Sequence, residues 1–206
     1  MNYGNNIPDI TGIILAGGSS LRLGYNKLFL KMGDRYLIDI VIDSLSQFTS
    51  SLLIVTREDQ LDLIKSHICR ANVVADLFPG KGPLGGIYTG LSHAPNTFSF
   101  IVGCDMPFIS SALARYMINN VHDCDAIVPK IGNMIEPLHA IYSRNCLSKI
   151  ECLLQIERLN IARLFPMVRT KYIDEHEINA LDPNHLSFIN INTKRDLRIA
   201  NLLLGK

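Results

Sequence analysis

The sequence has no excess of charge of either sign: 20 lysines and arginines face 19 aspartates and glutamates, leaving a formal net charge of +1. A dedicated nucleic-acid binder usually carries a basic excess, so bulk charge makes no electrostatic case for one. A small anionic ligand needs only a few local cations and stays allowed. Long apolar runs are also missing. None approaches the roughly 18 residues that a transmembrane helix needs, so no membrane span is expected. Met1 to Asp9 is polar and lacks the basic and apolar regions of a secretory signal. The five cysteines (Cys69, Cys104, Cys124, Cys146 and Cys152) are odd in number and form no CxxC pair. Reduced thiols of the cytoplasm look like this, and a disulfide framework or zinc site does not. The histidines show no HxxxH or HExxH spacing, and no GxSxG occurs, so metal-hydrolase and serine-hydrolase chemistry lacks support. No repeat, low-complexity tract or linker divides the chain. The expectation is a flexible leader over 1–10 and one domain over 11–206.

With 48% apolar residues, the chain has ample material for a core. Thr11 to Ala16 is a short β-branched run closed by Gly17 and Gly18, which reads as a buried strand. Ser51 to Thr56, Asn72 to Asp76 and Thr97 to Asp105 read the same way. Helical spacing covers Tyr36 to Leu45, a segment through Leu61 and Ile64, and Gly85 to His93. Strands alternating with helices predict a mostly parallel sheet covered on both faces, with ligands beyond the carboxyl ends of its strands. The second half alternates less cleanly. Cys124 to Lys130 and Leu138 to Tyr142 suggest a hairpin turning at Ile131 to Asn133. Helices are expected over Asn145 to Leu154 and Asn160 to Phe165, and strands over Arg169 to Ile173 and Phe188 to Asn192. Thr193 and Asp196 have the spacing of a capping box for a last helix to Leu204.

The densest constellation is the first strand-to-helix junction, Leu15 to Lys27. Gly17, Gly18 and Gly24 let the backbone approach a ligand, while Arg22 and Lys27 add two cations. Amides plus cations at a strand end make an anion cradle suited to a polyphosphate; the bland reading is a surface loop with two solvated charges. The spacing is not that of a P-loop, because no Gly-Lys-Ser/Thr follows. A literal GxGxxG runs from Gly80 to Gly85, but Pro79 and Pro83 stiffen it and it does not directly follow a strand, so it reads as a decoy; Asp105, about twenty residues on at the next strand end, keeps the dinucleotide fingerprint as the minor alternative. Asp105 ends an apolar strand, where a carboxylate is costly without a hydrogen bond or a cation. Mg²⁺ held by one or two carboxylates plus substrate phosphates would satisfy it, and so would a turn-capping role with Pro107. Asp76 has the same two readings, with capping the better one on chemistry alone. Cys104 reads as packing rather than as a nucleophile, and His139 as packed or substrate-facing.

In this order, the residues resemble a known family. Leu15-Ala16-Gly17-Gly18, Arg22, Gly24 and Lys27 look like the opening motif of nucleotidyltransferases of the nucleotide-diphospho-sugar transferase, or glycosyltransferase-A-like, type. Gly82-Pro-Leu-Gly-Gly86, Cys104-Asp-Met-Pro107, Glu136-Pro-Leu-His139 and Phe188 to Thr193 resemble the molybdenum cofactor guanylyltransferases, from Thr11 to about Leu203. The resemblance implies an α/β fold: a single-domain, three-layer α/β/α architecture with a mostly parallel Rossmann-like sheet. It implies transfer of GMP from GTP to molybdopterin with release of pyrophosphate. Leu15, Ala16, Gly17, Gly18, Lys27, Asp76 and Asp105 would bind the nucleotide, Asp105 would bind Mg²⁺, and Arg22, Lys27 and Asp105 would act in catalysis. Asn190 and Asn192, with the Glu136 to His139 region, would line the pterin pocket; a tight strand-to-helix turn is the other reading of that segment. The implied partners are GTP and the molybdenum cofactor, with room for other cofactor-biosynthesis proteins and acceptor molybdoenzymes, in the cytoplasm. One departure stands out. The family often has a polar residue, typically Asn, at the end of the second strand, where this chain has Ile54 or Val55. Base recognition then falls to backbone groups or Thr56, or the base is cytosine; a homologue that binds nucleotide without turnover is the further alternative.

Overall fold

Hydrophobic alternation sets the architecture. The computed structural model describes residues 8–18 and 29–204. In β1 (Ile10–Leu15), Ile10 and Ile14 face one core while Ile13 and Leu15 face the other, as two-sided burial of a strand requires. A small ribbon of β2 (Lys31–Met32) and β3 (Arg35–Tyr36) leads into α1 (Leu37–Leu45), whose Leu37, Ile38, Val41, Ile42 and Leu45 form the apolar stripe expected from their spacing. β4 (Ser51–Thr56), α2 (Leu61–His67) and β5 (Asn72–Ala75) follow, then α3 (Gly82–His93) and β6 (Phe98–Gly103). Next comes α4 (Ser111–Asn119), started by the Ser110 hydroxyl, which accepts from Leu113 N–H at 3.3 Å. β7 (Ala126–Ile131), β8 (Met134–Ile135) and β9 (His139–Ser143) precede α5 (Leu147–Gln155). β10 (Thr170–Ile173), α6 (Glu175–Leu181) and α7 (Lys194–Leu204) complete the order.

The main sheet runs β10-β7-β9-β6-β1-β4-β5, with β8 attached to β7. Pairs β6/β1, β1/β4, β4/β5 and β10/β7 are parallel, whereas β9 runs antiparallel to both its neighbours. Helices α1, α2, α4 and α6 cover one face, and α3 and α5 the other, so the expected three-layer, mostly parallel α/β sheet is found. Close contact of α3 with β1 depends on glycine: a Cβ on Gly90 would meet Ile13 Cγ2 at 2.8 Å. That contact places the start of α3 beside the end of β1.

Four sequence expectations change. The turn at 131–133 joins β7 to the short β8, through Lys130↔Ile135, and β9 then lies between β7 and β6. The segment expected as a helix over 160–165 forms two 3₁₀ turns, Ile161–Arg163 and Phe165–Met167. Proline at position 166 suits the first turn of such a helix and not the interior of a longer one. No strand forms over Phe188 to Asn192. That stretch lies past the end of β6, and its one backbone link there is Ile191 N–H donating to the Asp105 carbonyl at 2.9 Å. Helix α4 had no counterpart in the sequence reading. The capping box does form: Asp196 N–H donates to the Thr193 hydroxyl at 3.1 Å, and Thr193 N–H to Asp196 Oδ2 at 2.8 Å.

Candidate active site

A cavity of ≈ 600 Å³ lies across the carboxyl ends of β6, β1, β4 and β5. Parallel strands all end on the same side, so residues far apart in sequence meet there. Six of the expected site residues line it: Leu15, Ala16, Gly17, Gly18, Asp76 and Asp105. Arg22, Gly24 and Lys27 lie outside the described residues. Asn190 and Asn192 are exposed and stand beside the cavity rather than in its wall. The segment carrying them is nevertheless tied to the site through the Ile191–Asp105 bond.

The glycine loop divides into used and offered groups. Ala16 N–H donates to the Val55 carbonyl at 2.8 Å, and the Leu15 carbonyl accepts from Cys104 N–H at 3.1 Å. Both bonds extend the sheet. The first amides beyond it are those of Gly17 and Gly18, both exposed and both lining the cavity, and backbone amides at a strand end suit an anion.

The two acids play different parts. Asp76 Oδ1 accepts from Phe78 N–H at 3.0 Å and lies 2.9 Å from the Thr89 hydroxyl, so it organises the turn that leads to α3. It lines the cavity as well, and the capping and ligand-facing readings coexist in one side chain. Asp105 is half-buried just past β6. Its Oδ1 folds back over the strand, 2.6 Å from where a Cβ on Gly103 would lie, so a larger residue at 103 would displace the carboxylate. Gly80 and Gly82, with φ of +80° and +63°, shape the loop into α3, whose first turn begins several residues past β5. The GxGxxG stretch is therefore not a dinucleotide fingerprint.

Glu136 to His139 supplies Leu138 to the cavity wall. Burial raises the Glu136 carboxyl above its usual range. His139 turns inward and is fully buried between the edges of Phe100 and Phe188, with ring centroids 5.0 and 5.3 Å away. Neither ring nitrogen has a hydrogen-bond partner among the described residues. Burial pushes the imidazole down to about 4, against a smaller opposing pull from Asp182. The packed reading of His139 is the one realised.

A pH effect follows. The folded state refuses a proton that the unfolded chain accepts near 6.5, so stability falls as pH drops from about 6.5 towards 4. At pH 5 the expected cost is about 2 kcal/mol. Urea unfolding at pH 7 and pH 5 should show this loss in the native protein and not in His139→Leu. Equal pH slopes for the two would remove His139 as the cause.

Other ionisable groups are structural. Asp125 is held down to about 2 by hydrogen bonds from Arg169, against desolvation, with Asn145 also donating, and the pair ties β7 to the approach to β10. Among the described residues, no group of three or more His, Cys, Asp or Glu could hold a metal ion by itself. A cation at Asp105 would take the rest of its oxygens from water or from a phosphate ligand, the common arrangement for Mg²⁺.

Two outcomes at the end of β4 differ from the sequence reading. Thr56, a candidate for base recognition, is fully buried with its hydroxyl 3.5 Å from Gln60 Oε1. Arg57, unassigned by the motifs, lines the cavity. The rule that singled out Asp105, a charged residue directly after an apolar strand, would have found it.

Comparison with known proteins identifies the family. The family model described as MobA-like NTP transferase domain matches residues 12–169. A molybdenum cofactor guanylyltransferase of Desulfosudis oleivorans is 39% identical over 193 residues, covering 93% of this chain and 94% of the relative. The structure of molybdopterin-guanine dinucleotide biosynthesis protein A from Archaeoglobus fulgidus superposes with a TM-score of 0.84 at 26% identity, over 95% of this chain and 99% of that one. The 4-diphosphocytidyl-2C-methyl-D-erythritol synthase of Anaerococcus prevotii, at 20% identity and TM-score 0.72, shares the fold. No helix among the described residues is long and apolar enough to cross a membrane.

Proposed function

The chain belongs to the MobA-like NTP transferase family, and from that premise we propose that it transfers GMP from GTP to molybdopterin in the cytoplasm. The observation that carries the reading is the placement of Gly17, Gly18, Asp76 and Asp105 around one cavity at the carboxyl end of a parallel sheet. The terminal phosphate oxygen of the pterin attacks the α-phosphorus of GTP. A P–O bond forms there, the bond to the bridging oxygen breaks, and pyrophosphate leaves with the electron pair. No covalent enzyme intermediate is needed.

Catalysis of this kind is positioning plus neutralisation of charge. Gly17 and Gly18 direct amides at the phosphates. Arg22 and Lys27, on the same loop in sequence, bring positive charge to the departing pyrophosphate. The half-buried Asp105 carboxylate, alone among cavity acids at the β6 end, is the group that would hold Mg²⁺. When bound, the ion neutralises phosphate charge. Asp76, fixed by its turn, presents its outer edge to the nucleoside. Asn190 and Asn192 stand beside the Asp105 end, where the pterin would approach.

Pyrophosphate release with molybdopterin present, measured with GTP and separately with CTP, tests the reaction. Release with GTP and little with CTP is expected. A signal from CTP alone would make the chain a cytidylyltransferase, and silence with both would leave a nucleotide-binding homologue without turnover.

A further inference from the structure

Arg57 is the one cationic side chain among the described residues that lines the cavity. It follows β4 directly, and its stem runs beside the phosphate loop: a Cβ on Gly17 would sit 4.0 Å from Arg57 Cγ. Asp59 clamps the guanidinium, accepting from Nε at 2.9 Å and from Nη2 at 2.5 Å. Arginine carries five N–H donors in a rigid plane, so this pair uses one edge and leaves the other to a ligand. Both partners are largely exposed, and such an ion pair contributes little stability. Its effect is to orient the fork before anything binds.

Position along the cavity decides what the fork meets. Neighbouring strands are about 4.8 Å apart. Asp105 follows β6 and Arg57 follows β4, with β1 between them, so they are separated by about 10 Å across the sheet. The triphosphate belongs with the Gly17 and Gly18 amides and the Asp105 end. At the β4 and β5 ends the wall is made of Val55, Pro79, Pro83 and the backbone of Gly80, with the Asp76 carboxylate beside them. An apolar wall with a few polar groups at its edge suits a planar base. Thr56, the other polar group at this strand end, is buried away from it.

We propose that Arg57 selects the base, donating from its free edge to O6 and N7 of guanine. Guanine presents those two acceptors side by side, the geometry an arginine fork fits. Adenine places an amino donor beside N7, and cytosine offers an amino donor in place of the pair. Asp59 is then a positioning residue acting through Arg57. The assignment rests on the guanylyl-transfer reading and specifies how that site tells its substrate from other nucleotides.

Equilibrium binding of GTP, ATP, CTP and 7-deaza-GTP, without acceptor, separates the two levels. For Arg57→Ala, GTP affinity is expected to fall about tenfold while ATP and CTP stay within about twofold. Arg57→Lys should bind GTP no better than the alanine variant, because an ammonium lacks the fork. On the native protein, 7-deaza-GTP should bind more weakly than GTP. Equal losses for all nucleotides would put Arg57 on the triphosphate and overturn the assignment. So would unchanged GTP affinity in a folded variant of a protein that itself prefers GTP. A native protein that binds none of the four overturns the guanylyl-transfer reading, and this assignment with it.

Discussion

Asp105→Asn is expected to lower kcat for guanylyl transfer about 1,000-fold without unfolding the protein. Asparagine has nearly the same shape as aspartate, so it can take the same place over Gly103. The backbone bond from Ile191 to the carbonyl of residue 105 does not involve the side chain and survives the change. What disappears is the negative charge that would hold a divalent cation in the proposed reaction. The defect should therefore appear in kcat at saturating GTP and Mg²⁺. Circular dichroism and the urea midpoint should match the native protein, and nucleotide binding in the presence of chelator should change little. A variant that keeps a tenth of native turnover would remove Asp105 from the metal role and leave it a turn residue.

Lys27→Ala should cost about 100-fold in turnover, equivalent to about 2.7 kcal/mol of transition-state stabilisation. The reasoning is electrostatic. Charge moves onto the leaving pyrophosphate as the bond to the α-phosphorus breaks, and an ammonium nearby is worth more then than in the ground state. The loss should therefore fall more on kcat than on the KM for GTP. A decrease below about tenfold would identify Lys27 as a solvated surface charge with no part in the reaction.

Much of the fold could be read from local pattern. The β-branched runs at 11–16 and 51–56 could be recognised because strand burial is written in every residue of the run, and α1 because five apolar side chains repeat at helical spacing. The Thr193–Asp196 cap is equally local, since both partners lie within one turn. Phe188 to Asn192 had the composition of a strand and no neighbour to pair with, because it lies past the end of β6. The insertion of β9 between β6 and β7 is likewise a long-range choice, invisible to a window of a few residues.

The site divides along the same line. By itself, the sequence determined the chemistry on offer: a glycine loop with two cations, two strand-end carboxylates and their order along the chain. Only the tertiary structure decided which of these share a cavity. Parallel pairing through β1 brings Gly17, Arg57, Asp76 and Asp105 to one edge of the sheet, although almost ninety residues separate the first from the last. It also turned Thr56 into the core and Arg57 into the cavity, and enclosed His139 between two phenylalanines. The reason is physical. Propensity and periodicity act over a few residues, whereas the side of a strand end that meets a ligand depends on register and on which strands become neighbours.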